Sequence, residues 1–318
     1  MRRKRIAALS LAALLLGSGC TPAPIVAIPS ISSAIGEVPL RVAAPEVPAG
    51  VDPQDGVLVA QVYAAALNAA GARAEVTGPA TAAGTALADV AAGKIDIAPV
   101  FSRQAMAGKL SAPQSGDAPQ VLAALKESLP SGVELLNPAK AQDKTSMVVT
   151  AVTGEKYQLK SLADLAGICG KLVMGGPAAF QGGPHGLAEL GKDYSCLPAG
   201  FKALAPTISY SSTSTLWALL QDDIQIAVMP NSSPAIADNA LVVLSDPKNL
   251  FPVQDLVPVV STARVSKEVQ DVVNKVSAAL TEGEVANLSR LAQDRHFGTL
   301  ADAADAWLVQ KGLVEAGS

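Results

Sequence analysis

The chain uses one phrase twice. "GKIDIAPVFS" at 93–102 returns at 222–231 as "DDIQIAVMPN". Each copy follows a helix-like run, "TALADVAA" before the first and "STLWALLQ" before the second. Ile-Asp-Ile-Ala and Ile-Gln-Ile-Ala are short and mostly apolar, as strands buried on both faces are. The recurrence predicts two similar α/β lobes, the alternative being a chance likeness in an Ala- and Ile-rich chain. Ligands of open α/β sheets sit outside the carboxyl ends of the strands. Phe101-Ser102 and Pro230-Asn231, directly after the two strands, are therefore the first cleft candidates.

The surrounding segments alternate in the same way. "PLRVAAP" (39–45) reads as a buried strand, "GVLVAQVYAAALNAAGA" as a helix ended by Gly71, and "RAEVTG" as a strand. "TAAGTALADVAAG" is a second helix that also ends at a glycine, as helix C-termini commonly do. The alternation restarts after "VELLNPAKAQDKTSMVVTAV" with a strand "KLVMGG" (171–176), a helix after Pro184 and a strand near "ALAPTIS". Such alternation implies βαβ units on mostly parallel sheets. The tail "SKEVQDVVNKVSAALTEGEVANLSRLAQ" predicts two helices broken at Thr281, with a capping box to Glu284. "TLADAADAWLVQKGL" is the last helix.

The first residues read as an address. "MRRKR" is a positive n-region and "IAALSLAALLL" an apolar h-region too short to span a bilayer. "GSGC" places small residues before Cys20 and resembles a bacterial lipobox, although Gly17 stands where Leu is usual. Residues 1–19 are thus expected to be a signal peptide and Cys20 a lipidation site, against an ordinary secretory signal with a chance cysteine. "TPAPIVAIPSISSAIGEVP" is rich in Pro and Ser and reads as a tether over 20–36. Removing 1–19 takes away Arg2, Arg3, Lys4 and Arg5, so 24 basic residues fall to 20 against 28 acids, net −8. That balance disfavours nucleic acid. Cys169 and Cys196 are an even pair in an oxidising compartment and read as a disulfide, against two separate buried thiols.

Catalytic signatures are missing. There is no G-x-S-x-G, H-E-x-x-H or C-x-x-C. "GLAELGKD" imitates a phosphate loop but has Asp193 where Ser or Thr should hold Mg²⁺. His185 and His296 have no evident acid or thiol partners for a metal. No enzyme activity, cofactor or metal is expected.

The order of "VYAAALNAAG", "GKIDIAPVF", "VELLNPAKAQDKTSMVVT", "YQLKSLADLA", "SSPAIADNALVVLSDPKNLFPVQDLVPVV" and "VNKVSAALT" is similar to that in one family: the substrate-binding proteins of osmoprotectant ABC importers of the glycine betaine/choline type. The resemblance covers roughly residues 38–315. It implies a two-lobe periplasmic-binding-protein fold, type II-like, each lobe a mostly parallel sheet flanked by helices. Two hinge crossings are implied near Asp143–Thr145 and Asp246–Phe251. Lobe one is then 37–143 plus 252–318 and lobe two 144–251. It further implies a monomer that binds a small solute, with a permease and its ATPase as partners; the only membrane contact expected from the sequence is the lipid at Cys20, since no later run reaches transmembrane length without charges.

Family members of this kind hold a quaternary ammonium in an aromatic cage and often clamp a carboxylate with Arg. Little of that carries over. Where Pro-Glu-Tyr is common the chain has Pro99-Val100-Phe101, and where Arg precedes Pro-x-Gly it has Gly183, with His185 two residues on. Pro230 replaces an aromatic, and a Gly-rich turn becomes "SYSSTST", offering Tyr210 and Ser211 with Trp217 beyond. Thr85, Asp143, Thr145 and Asn231 are the retained hydrogen-bonding candidates beside Phe101 and Ser102. Phe101 and Tyr210 either line the site or pack at a lobe edge, and Asp143 either serves the ligand or caps a turn. Trp217 reads as core and His185 as a surface or capping residue. Without the Arg, a carboxylate on the ligand needs Lys144, Lys202 or backbone N–H groups. The alternative is a two-lobe sensor or envelope interaction protein that has lost transport.

Overall fold

The structure, a computed structural model, describes residues 27–31, 38–78, 85–106, 117–206, 213–293 and 296–315. The chain opens with β1 (Leu40–Ala43), a helix at Pro53–Ala69, β2 (Ala74–Thr77), a helix at Ala86–Ala91 and β3 (Ile97–Phe101). β4 (Val133–Leu135) and the two-residue β5 (Gln142–Asp143) follow. A second sheet takes β6 (Thr145–Val149), β7 (Val173–Gly176), β8 (Gly200–Ala203), β9 (Ile226–Pro230) and β10 (Val242–Val243). β11 (Gln254–Ser261) then returns to the first sheet.

The first sheet runs β2-β1-β3-β11-β4 with β5 against β11, and the second runs β10-β6-β9-β7-β8. From its far edge the second sheet repeats the order of the first, with β6 in the place of β11. In the first, β1 is parallel to β2 and β3, while β11 is antiparallel to β3 and β4. In the second, β7 is parallel to β8 and β9, while β6 is antiparallel to β9 and β10. Each sheet thus has one reversed strand, and it is the strand that arrives from the other lobe. These are the two mostly parallel, helix-flanked sheets the sequence predicts. Central strands read as apolar runs because both faces are covered; all five residues of β3 and all eight of β11 are buried.

The repeated phrase supplies the third strand of each sheet, with the same fastenings at both ends. In the first copy Asp96 N–H donates to Arg41 O at 3.0 Å and its Oδ2 accepts Arg41 N–H at 2.9 Å. In the second, Gln225 N–H donates to Val173 O at 2.8 Å and its Oε1 accepts Val173 N–H at 2.9 Å. One polar side chain therefore satisfies the backbone at the start of the neighbouring first strand in each lobe. Past the strand ends, Ser102 Oγ accepts Asp255 N–H at 3.1 Å, and Asn231 Oδ1 accepts Lys144 N–H at 2.9 Å. Both donors lie where the chain enters from the opposite lobe.

Some details depart from the sequence reading. The strand expected near "ALAPTIS" lies earlier, at Gly200–Ala203, and pairing shrinks to a bridge between Ala205 and Ser214. Pro206, with no N–H to give, ends it. The tail helices are Lys267–Ala279 and Glu282–Gln293, but only half of the expected capping box forms. Thr281 Oγ1 accepts Glu284 N–H at 3.3 Å, whereas the Glu284 carboxylate turns to buried Trp307 Nε1 (2.9 Å) and Lys311 Nζ (2.7 Å). A buried indole N–H needs an acceptor, and that demand wins. Cys169 and Cys196 are disulfide-bonded inside the second lobe, with Cα atoms 5.1 Å apart and both residues buried.

Candidate functional site

The chain passes between sheets at Lys144 and again at Pro252–Val253. Asp143 of β5 pairs with Gln254 of β11, and Gln142 with Asp255. Side chains reinforce the register: Gln254 Nε2 donates to Asp143 Oδ2 at 3.1 Å, and Gln142 Nε2 to Asp255 Oδ1 at 2.8 Å. Asn231 grips the same segment from the second lobe through Lys144 N–H and Lys144 O, and its Nδ2 donates to Gln142 O at 3.1 Å. The hinge is therefore a hydrogen-bonded strand pair held from both sides.

Two cavities meet at Asp143. The larger encloses about 1080 Å³ including its mouth, and both lobes wall it. Arg103, Gln104, Asp143 and Gln254 come from the first lobe; Thr145, Phe180, Gly183, His185 and Phe251 from the second. The smaller takes in about 490 Å³ including its mouth and is mostly apolar, with Val47, Val59, Leu256 and Val285 among its walls and Ser232 contributed by the second lobe. Among the described residues its carboxyl groups are Asp55 and Asp143, its aromatic ring is Phe101, and no Lys, Arg or His lines it.

The two carboxyls are unusual. Burial pushes Asp143 up to about 6, against the hydrogen bond from Gln254. Burial also pushes Asp55 up to about 6, against the hydroxyl of Ser289 and with added push from Asp52. Ser289 Oγ donates to Asp55 Oδ1 at 2.9 Å. Asp55 Oδ2 and Asp143 Oδ1 accept no hydrogen bond from any described residue. Beside the larger cavity, the amide oxygens of Gln104 and Gln254 are buried and, among the described residues, without a partner. Arg103 Nε donates to Val253 O at 2.8 Å, and burial lowers its pKa while Asp255 and Asp117 counteract. Buried polar atoms are ordinarily paired, so such a concentration marks a place built for something else to bind.

Of the residues picked from sequence, Phe101 and Asp143 line the smaller cavity, and Asp143 and Thr145 the larger. Ser102, fully buried, and Asn231 spend their acceptors on hinge backbone. Thr85 lines neither cavity and stands at the N-cap of Ala86–Ala91. Tyr210, Ser211 and Cys20 lie outside the described residues. His185 faces the larger cavity rather than the outer surface, and Lys144 pairs with Asp246 at 3.8 Å. Asp55, Arg103, Gln104, Phe180, Phe251 and Gln254 are wall residues the sequence reading missed. Phe180 and Phe251 pack on each other, centroids 6.1 Å apart, and both are buried. They back the wall and do not open as a cage. The missing Arg is written into the backbone as well: a Cβ on Gly183 would stand 2.5 Å from Ala179 O.

Two lobes of one topology, hinged by paired strands with a cleft at their carboxyl edges, define a periplasmic-binding-protein fold. Residues 47–310 match the family described as the substrate-binding domain of ABC-type glycine betaine transport systems, OpuAC, and the chain belongs to it. The fold is similar to that of a glycine betaine/carnitine/choline ABC transporter, with TM-score 0.71 and 16% identity over 86% of this chain and 99% of that one. It is similar to apo YehZ from Escherichia coli at TM-score 0.64 and 22% identity, over 87% and 99% of the two chains. Lactococcal OpuAC, closed on glycine betaine, gives TM-score 0.55 and 16% identity over 86% and 97%. No curated protein sequence matches the chain.

Proposed function

We propose that this chain is the extracytoplasmic, lipid-anchored receptor of an ABC importer. It captures a small osmoprotectant-like solute between its lobes and delivers it to a permease and ATPase by closing on it. The observation that carries this reading is the family match over 47–310 together with the cleft at Asp143. Lobe one is taken as 37–143 plus 252–318 and lobe two as 144–251, moving about the Asp143–Gln254 strand pair as hinged binding proteins do. Closure is supported by an ion pair that spans the lobes: Arg290 Nε and Nη2 reach both carboxylate oxygens of Asp238 at 2.7–3.1 Å. Phe101, Asp143 and Thr145 are the proposed contacts among the residues first picked from sequence. Ser102 and Asn231 serve by holding the hinge.

Anchoring at Cys20 is the proposed membrane attachment; among the described residues no helix is long and apolar enough to cross a bilayer. Membrane fractionation tests it: Cys20→Ala should move the protein out of the membrane fraction, and retention there would refute the anchor. Solute capture is tested by thermal unfolding with glycine betaine, proline betaine, carnitine, choline, amines and polyols. A binder of the native state raises the melting temperature by mass action. A shift with any member is expected, and none across the panel would refute solute capture.

A further inference from the structure

Quaternary ammonium groups present only C–H to their surroundings and are recognised by ring faces. The cavity beneath the hinge is walled otherwise. Among the described residues its lining has one aromatic side chain, Phe101, and two carboxyls, Asp55 and Asp143, and no positively charged side chain. Asp143 is only 8% exposed, and one of its oxygens is engaged by Gln254 while the other has no partner among the described residues. Asp55 is half-buried, with Oδ1 on Ser289 and Oδ2 without a partner among the described residues. Gln254 cannot turn its amide to relieve the deficit, because its Nε2 must face the Asp143 carboxylate; its oxygen is left unpartnered on the wall of the adjoining cleft.

What satisfies open carboxylate oxygens in an apolar enclosure is a charged N–H donor, whose hydrogen bonds to them are short and roughly twice as strong as neutral ones. A trimethylammonium brings the charge but no N–H, and so cannot donate to either oxygen. A ligand carboxylate placed here would meet two acids and no cation. We propose that this cavity selects a protonated primary or secondary amine lacking a carboxylate, with Asp55 and Asp143 as its specificity-determining partners. The inference rests on the solute-binding reading of the cleft and narrows it to a ligand class that one ring and two acids can recognise.

The test is a methylation series on one skeleton: ethanolamine, N-methylethanolamine, N,N-dimethylethanolamine and choline. Each is titrated at pH 7.5 into the full chain in neutral detergent, with unfolding followed by tryptophan fluorescence. Glycine betaine and glycerol run in parallel. Ethanolamine should bind at least tenfold more tightly than choline, with affinity falling at each added methyl. Asp55→Asn should abolish the ethanolamine response, and should that variant not fold, the series on the unaltered chain decides alone. Choline equal to or tighter than ethanolamine overturns the inference and leaves solute capture standing. A response to glycine betaine or glycerol with none to the amines does the same. Silence from every compound overturns both readings.

Discussion

Replacing Asp143 by Asn should make the protein more stable and less able to bind. The carboxyl is nearly sealed from solvent, 8% exposed, and burial moves it from 3.8 to about 6. At 1.36 kcal/mol per unit, a two-unit rise corresponds to about 3 kcal/mol of instability once the group is charged in the fold. The folded state holds its proton more tightly than the unfolded chain, so this contribution is favourable below about pH 4 and is lost as pH rises to about 6. Asparagine removes the charge and keeps an oxygen for Gln254 Nε2. Denaturant unfolding should therefore show Asp143→Asn gaining about 1–3 kcal/mol over the wild type at pH 7.5 and almost nothing at pH 4, with unchanged slope. An equal gain at both pH values, or a loss at pH 7.5, would refute the argument that a buried charge is held there for use. Stability surrendered at a site is ordinary where function requires strain.

Three further outcomes follow from other contacts. Gly183→Arg should not restore a carboxylate clamp: its Cβ would collide with Ala179 O, and the forced shift should cost about 1–3 kcal/mol in denaturant melts without creating glycine betaine binding. Asn231→Ala leaves Lys144 N–H and Gln142 O without their side-chain partner, and should lower unfolding free energy by about 1–3 kcal/mol. Reducing the Cys169–Cys196 bond, whose cysteines are 27 residues apart, should cost about 3–4 kcal/mol on the loop-entropy account. Melting with and without reductant, beside a Cys169→Ala/Cys196→Ala variant, reads that value.

Most of the scaffold could be read from the chain because its signals are local. Pro-closed apolar runs, glycine stops and the doubled helix–strand phrase each depend on a few adjacent residues. The site was harder. Position after a strand end marks a residue as near the cleft, yet does not reveal whether its oxygen is already taken; at Ser102 and Asn231 a backbone N–H from the far side of the hinge takes it. Asp55 reads in sequence as an ordinary first-turn acid of a helix. Its burial comes from the helix Glu282–Gln293 folding over it, with Ser289 in contact, and nothing near residue 55 foretells that. Arg103 lay one residue past Ser102 in the repeated phrase, where counting beyond the strand end would have found it. Phe180 and Phe251 are visible only once two distant segments pack.

Titration calorimetry of the full chain and of Asp143→Asn, with ethanolamine, choline, carnitine and glycine betaine at pH 7.5, bears most directly on a solute site at the hinge. At least one compound should bind the wild type with one-to-one stoichiometry and lose that heat in the variant. Binding that survives Asp143→Asn unchanged, or a wild type that binds none of the four, would contradict a cleft organised around that carboxyl.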